Sequence, residues 1–355
     1  MFQLHWGWHA GARAPRGAAG GTGATTRRAV KRGPVTLLVI GLVLMSSGPG
    51  AAHAQPRRPV KIGALTQSWG PTPAIIGLRD GLTELGYREN ADFVIGVRFT
   101  QGNPSELPAA ARDLVRHGVD VIVTSEAGDG AKVASAATTR IPIVFIGGVD
   151  PIRLGLVKSL ARPGGNVTGI ADLSIDLIPK RVEMFQQTVP TLKRVLLVYD
   201  AADVHTLGQL EAYRDTTRRL GVTLVEKPVR TQDEAQAVLA AVRRDEIDGI
   251  VSPQSLALNI PGFILQAGSR QAIPTMFHAT GFVEEGGLVG YAPSTRGLGR
   301  QAARLVDKIL KGAKPADLPV EQPTIFELIV NLKTAAALGL TIPQPVVLRA
   351  DRLIQ

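Results

Sequence analysis

The sequence contains no cysteine, and only 5% of its 355 residues are aromatic. The missing cysteine excludes a disulfide framework, a thiolate nucleophile and a lipid-modified N-terminal cysteine, so the chain must fold by burial alone. Also absent are a Gly-x-Ser-x-Gly elbow, a Gly-x-x-x-x-Gly-Lys-Ser/Thr phosphate loop and a His-Glu-x-x-His zinc helix. These absences take away the local signatures of serine hydrolases, nucleotide hydrolases and zinc peptidases. The pattern therefore argues against an enzyme and implies no cofactor. Histidine is scarce as well, with six in the chain. Beyond residue 54 only His117, His205 and His278 remain, which is no metal-ligand set. One long uncharged apolar run is present, Val35 to Met45. It is too short to span a bilayer, which needs about 20 residues.

That run has the context of an export signal. Arg27, Arg28, Lys31 and Arg32 precede it, and Ala52-His53-Ala54 supplies small residues at the positions a signal peptidase reads. Residues 1–54 are expected to be removed, leaving Gln55 as the first residue outside the cytoplasm. The segment Thr26-Arg27-Arg28-Ala29-Val30-Lys31 fits an ordinary basic leader and also loosely a twin-arginine motif, so the export route stays open. The leader holds six Lys/Arg and no acid, so its loss takes the chain from 40 basic against 30 acidic residues to 34 against 30. A net charge of +4 in place of +10 gives little support for nucleic-acid binding, which calls for a basic stripe on one face.

After the leader, short β-branched runs alternate with amphipathic helical stretches, the pattern of parallel sheets with crossover helices. Val60 to Leu65, Asp92 to Phe99, Val119 to Thr124 and Ile141 to Ile146 read as strands. Helices are expected at Pro71 to Tyr87, Pro104 to Val115 and Gly128 to Thr138. Beyond Arg162-Pro163-Gly164-Gly165-Asn166 the pattern restarts, with strands at Val167 to Ala171, Arg194 to Tyr199, Val222 to Val225, Gly249 to Val251 and Pro274 to Phe277. A long helix is expected over Thr295 to Lys311. The expected fold class is α/β, with two doubly wound parallel-sheet lobes and an interlobe cleft at the carboxyl ends of the strands, where open sheets of this kind bind ligands.

The candidate binding residues follow from that placement. Thr66, Gln67 and Trp69 lie in the loop after the first strand, and Trp69 is the only tryptophan beyond the leader. Its ring can stack on a planar ligand or pack on its own lobe. Ser125 and Glu126 end another strand, where the amides of a helix start suit a carboxylate and Glu126 suits an amine or solvent. Gly147 and Gly148 can let a ligand approach the backbone, while Asp150-Pro151 reads as the cap of a helix over Ile152 to Leu160. From the second lobe Tyr199, Asp200, Ser252, Gln254 and His278 follow strands, and Tyr291 lies near the return crossing. A lone histidine such as His278 is more often hydrogen-bonded structure than a ligand.

Four stretches carry a resemblance to a known family: Gly77 to Tyr87, Leu160 to Gly169, Ile309 to Pro323 and Asn331 to Pro343. From about Arg57 onward the chain is similar to the substrate-binding proteins of ATP-binding cassette importers, in the family that includes tryptophan- and tyrosine-type binders. The resemblance implies a type I periplasmic-binding fold with three hinge crossings, near Asn166, Tyr291 and Pro319. Lobe 1 would then be residues 55–165 plus 291–318, and lobe 2 residues 166–290 plus 319–355. It implies a monomeric periplasmic receptor that takes a small ligand to a membrane permease with its cytoplasmic ATPase, and the rings of Trp69 and Tyr199 with the helix N-termini favour a planar or carboxylate-bearing one. A periplasmic sensor that shows its closed form to a membrane receptor remains the alternative. Close amino-acid binders carry an Asp-Asn pair where this chain has Pro253-Gln254, a departure that argues against α-amine recognition there. N-terminal sequencing of exported protein is expected to begin at Gln55; intact Met1 on exported material would refute the leader.

Overall fold

The computed structural model describes residues 58–125, 129–147, 150–171, 175–255 and 257–355. The first half alternates strand and helix: β1 (Val60–Thr66), α1 (Pro73–Glu84), β2 (Phe93–Phe99), α2 (Leu107–Arg116), β3 (Val121–Ser125), α3 (Asp129–Ala137), β4 (Ile143–Ile146) and β5 (Val167–Ile170). These strands form one parallel sheet in the order β2-β1-β3-β4-β5. Every residue of β3 and β4 is buried, as expected of central strands covered on both faces. Helix α1 starts where Thr72 Oγ1 accepts from the Ile75 N–H and Pro73 occupies the first turn, where no donor is lost.

The chain continues through α4 (Ile178–Thr188), β6 (Arg194–Asp200), α5 (Val204–Leu207), α6 (Leu210–Arg219), β7 (Thr223–Val229), α7 (Gln232–Ala241), β8 (Gly249–Val251), α8 (Ile260–Gln271), β9 (Thr275–Phe277), α9 (Gly281–Glu284) and β10 (Val289–Pro293). After α10 (Thr295–Leu310) come β11 (Phe326–Asn331), α11 (Leu332–Ala337), α12 (Gln344–Arg349) and β12 (Arg352–Ile354). The second sheet has the order β12-β11-β10-β9-β8-β6-β7 and is parallel except between β10 and β11. The result is two α/β lobes of mostly parallel sheet. Among the described residues no helix is long and apolar enough to cross a membrane.

Helix α10 follows β10 of the second sheet but packs on α1 of the first lobe, with Leu298, Ala302, Leu305, Val306 and Ile309 in the same apolar cluster as Leu78 and Leu82. The two helices meet backbone to backbone. A Cβ on Gly77 would stand 2.0 Å from the Arg296 carbonyl oxygen, and one on Gly299 would stand 2.0 Å from that of Ala74. Only glycine permits that approach.

Three sequence expectations are corrected. Val167 to Ala171 does not open the second sheet: β5 pairs with β4 from Ile143 against Val167 to Ile146 against Ile170. Thr168 Oγ1 also donates to the Leu318 carbonyl at 2.9 Å, and Glu321 exchanges backbone bonds with Gly169 and Ala171. The Pro-Gly-Gly-Asn stretch is thus a turn into β5, in which Asn166 Nδ2 donates to the Thr138 and Ile141 carbonyls. The expected helix over Ile152 to Leu160 is a run of turns, broken where Gly155 takes a φ of 67°. Finally, α8 adds a helix between the strands expected at Gly249 to Val251 and Pro274 to Phe277, with Pro261 in its first turn, where proline is tolerated.

Gly299→Ala is expected to destabilise the protein by about 1–3 kcal/mol through overpacking against backbone that cannot rotate away. Urea denaturation checks it; a stability equal to that of the unsubstituted protein would show that the helices can part at no cost.

Candidate functional site

At the carboxyl edge of the first sheet the strand ends converge. Thr66 is buried, and its Oγ1 accepts from the Ser68 N–H at 3.1 Å, while Ser68 Oγ donates to the Gly70 carbonyl at 2.6 Å. These bonds fold the loop after β1 so that Trp69 stands out from it, 77% exposed. The loop after β2 backs it: the Gly102 N–H donates to the Gln67 carbonyl at 2.6 Å, and the Thr100 N–H donates to that of Thr66 at 3.1 Å. The Trp69 indole N–H lies beside Gly102, 3.8 Å from where a Cβ would be.

Thr100 and Ser125 flank Thr66 across β2-β1-β3. They are 2% and 4% exposed, and neither hydroxyl has a hydrogen-bond partner among the described residues. A buried polar atom left unmet costs about 1–3 kcal/mol, so a polar group of a ligand that reached these hydroxyls would recover part of that cost. Glu126 and Gly148 lie outside the described residues. The Gly147 N–H donates to the Ile170 carbonyl at 2.9 Å, and its φ of 67° and missing Cβ accommodate Leu298 of α10, so the glycine serves the lobe's own packing.

The second sheet gathers four of the expected residues round one that the sequence reading missed. Arg181 on α4 is 1% exposed. Its Nε donates to the Tyr291 carbonyl at 2.9 Å and its Nη1 to Gln254 Oε1 at 3.1 Å, with Nη2 3.5 Å from the His278 carbonyl. His278 Nδ1 lies 3.1 Å from Ser252 Oγ, which also donates to the Pro253 carbonyl. Tyr213 Oη donates to the Ser252 carbonyl at 3.3 Å, and burial pushes this hydroxyl up to about 12. Tyr291 stacks on Phe326 with ring centroids 5.9 Å apart. The signal for Arg181 was present: it shares the apolar face of α4 with Ile178, Val182 and Phe185, where a cation needs a reason.

Tyr199 and Asp200 do not join this group. Tyr199 is packed in the lobe's core, and its hydroxyl donates to Glu226 Oε2 at 3.3 Å. Arg214 grips the same carboxylate through two bonds of 2.8 Å and holds it below its ordinary range, while burial raises the Tyr199 hydroxyl. The expectation that Tyr199 offers its ring to a ligand is therefore corrected. Asp200 Oδ1 accepts from the Ala202 N–H at 2.8 Å and closes a turn.

Comparison with known proteins agrees with this arrangement of strand-end loops on two lobes. The family model described as ABC transporter substrate binding protein matches residues 70–354. A tyrosine-binding protein of Clostridioides difficile (strain R20291) is 28% identical over 266 residues, covering 74% of this chain and 76% of the relative. A Streptococcus pneumonia ABC domain solved in complex with L-Trp is 28% identical with a TM-score of 0.70, covering 83% of this chain and 100% of the other. The ligand-free, open structure of CD0873, a substrate binding protein with adhesive properties from Clostridium difficile, is 25% identical with a TM-score of 0.67, covering 83% and 99%.

Hydrogen bonds from a charged donor contribute about 1.5–3 kcal/mol each, and Arg181 makes well-formed ones to Tyr291 and Gln254. Arg181→Met is expected to lower stability by about 3 kcal/mol or more in chemical denaturation. A loss below about 1 kcal/mol would show that the cluster does not depend on the guanidinium.

Proposed function

This chain belongs to the ABC transporter substrate binding protein family, and we propose that it captures a small planar or carboxylate-bearing metabolite between its two lobes. The family is one of extracytoplasmic solute receptors, not of enzymes. On this reading residues 1–54 are a leader, the mature protein is a periplasmic monomer, and its closed form is presented to a permease with a cytoplasmic ATPase. The lobes hinge on three crossings: after Ala171, between Pro293 and Thr295, and beyond Gln322. Closure brings the loops after β1 and β2 and the end of β3 against the loops after β8, β9 and β10.

The observation that carries the reading is Trp69, an indole left 77% exposed at the carboxyl edge of a sheet. Its loop is fixed by the Thr66, Ser68 and Gln67 bonds, so the exposure belongs to a held position and not to a loose tip. A large ring kept in water by a rigid loop is suited to stack on a planar partner. Thr66, Gln67, Thr100 and Ser125 supply polar contacts beside it, and Ser252, Gln254, His278 and Tyr291 meet the ligand from the other lobe. Gln254 stands where an acid would favour an ammonium, so the second lobe favours the ring or acid end of a ligand over its amine. The tyrosine-binding relative and the neighbour solved with L-Trp make aromatic amino acids and aromatic acids the first ligands to try.

Trp69 is the only tryptophan beyond residue 54, so its fluorescence reports this edge alone. Titration with the bound metabolite is expected to change the emission. Trp69→Ala is expected to weaken affinity by about 1–3 kcal/mol while leaving the melting temperature nearly unchanged. Unchanged affinity would remove Trp69 from the site. In the same samples, saturating ligand is expected to reduce the radius of gyration in small-angle scattering without altering helix content; a constant radius would count against hinge closure.

A further inference from the structure

Gln209 is wholly buried, at 0% exposure, yet neither its Oε1 nor its Nε2 has a hydrogen-bond partner among the described residues. It is the one residue of the described set with both ends of a buried amide unmet. Native proteins pair nearly all such groups, because burial strips the water that would otherwise satisfy them. The residue does no local work that would explain it. It precedes α6 at the capping position, and its side chain makes no capping bond. Nor is its loop slack: Thr206 Oγ1 donates to Asp203 Oδ2 at 2.7 Å, and the Gln209 N–H donates to the Thr206 carbonyl at 2.9 Å.

Its place in the fold says what the amide is for. Tyr213 N–H donates to the Gln209 carbonyl, so the two residues lie one turn apart on one helix face. Tyr213 Oη reaches the Ser252 carbonyl, and Ser252 Oγ meets His278. Strand β6 ends at Asp200 and α6 begins at Leu210, so the helix starts at the carboxyl edge of the sheet and runs back along it. Gln209 is therefore one turn nearer that edge than Tyr213.

We infer that Gln209 is a specificity-determining ligand contact of the second lobe, its amide donating to and accepting from a neutral polar group on the ligand, such as a phenolic hydroxyl. The inference rests on the receptor reading above and names the chemistry of the same site. A site that keeps a donor and an acceptor unmet until ligand arrives discriminates against a ligand that offers only hydrocarbon there.

The test uses the mature protein with L-tyrosine, 4-hydroxyphenylacetate, L-tryptophan and L-phenylalanine as probes, measured by calorimetry and by thermal melting. Gln209→Met and Gln209→Leu keep the bulk and remove the amide. The expected result is a variant that melts at or above the unsubstituted protein without ligand, because two unmet groups are gone. It should bind the hydroxylated probes roughly tenfold or more weakly, while phenylalanine binding changes little. Unsubstituted protein that binds a probe, with variants that bind every hydroxylated probe as well as it does, overturns this contact and leaves the receptor reading standing. Variants that melt far lower or fail to fold show that the amide is structural, which also overturns it. Unsubstituted protein that binds none of the four overturns the aromatic-ligand reading and this inference with it.

Discussion

The close approach of α1 and α10 is the constraint from which the rest of the architecture follows. The chain reaches Pro293 as part of the second sheet, and the next helix leaves that lobe to pack on the first. Backbone contact through Gly77 and Gly299 fixes where α10 lies, and the extended stretch after it then runs beside β5, pairing Glu321 with Ile170. Two charge pairs, Arg296 with Asp80 and Arg300 with Glu84, line the rim of the same contact. Exposed pairs of this kind contribute about 0.2–1 kcal/mol each, whereas the buried apolar side chains contribute about 1.5–3 kcal/mol each, so packing sets the geometry and the charges tune it. Tyr87 anchors the far end through a 2.8 Å bond to Asp307, and burial together with that bond pushes its hydroxyl up to about 12.

How much of this could be read from the chain depended on the range of the interaction. Strand and helix identity came through where a period was sustained, as in α1, whose apolar positions fall on one face. Sheet membership did not, because Val167 to Ile170 carries the same apolar signal whichever sheet it joins; only the open edge of β4 and the return of Leu318 and Glu321 decide it. Proline and glycine do not by themselves tell a hinge from a turn: Arg162 to Asn166, which reads as a crossing between lobes, is an intralobe turn held by the Asn166 side chain.

The candidate site was legible as a set of strand ends and illegible as a network. Thr66, Ser125, Ser252, Gln254 and His278 all fall where β1, β3, β8 and β9 end or just beyond. Whether a strand-end residue turns toward the edge or into the core is a matter of partners distant in sequence. Tyr199 is drawn inward because Glu226 and Arg214 lie ready on the neighbouring elements, and Gly147 is committed to Leu298 of a helix some 150 residues away. Arg181 was hidden for the opposite reason. A helix with three apolar residues on a face reads as core, and the arginine among them reads as noise until Tyr291 and Gln254 are seen to converge on it.

The two lobes offer a ligand different kinds of contact, and the difference bears on closure. In the second lobe most polar groups already satisfy one another round Arg181, so a ligand that bonds to them exchanges one hydrogen bond for another and gains little, about 0.5–1.5 kcal/mol at most per bond. Apart from Gln271 Oε1 at the end of α8, the buried side-chain groups left unmet among the described residues are Thr100 and Ser125 in the first lobe and Gln209 in the second. A ligand that satisfies groups in one lobe alone binds open and closed forms equally and shifts no equilibrium, however tight its grip. Because unmet polar atoms lie in both lobes, at strand ends in the first and at the start of α6 in the second, a ligand long enough to reach both gains the additional free energy only when they come together. On this reading the stability that the apo protein forgoes at Thr100, Ser125 and Gln209 is the source of the bias toward closure, and ligand length and the polar groups at its two ends determine whether that bias is released.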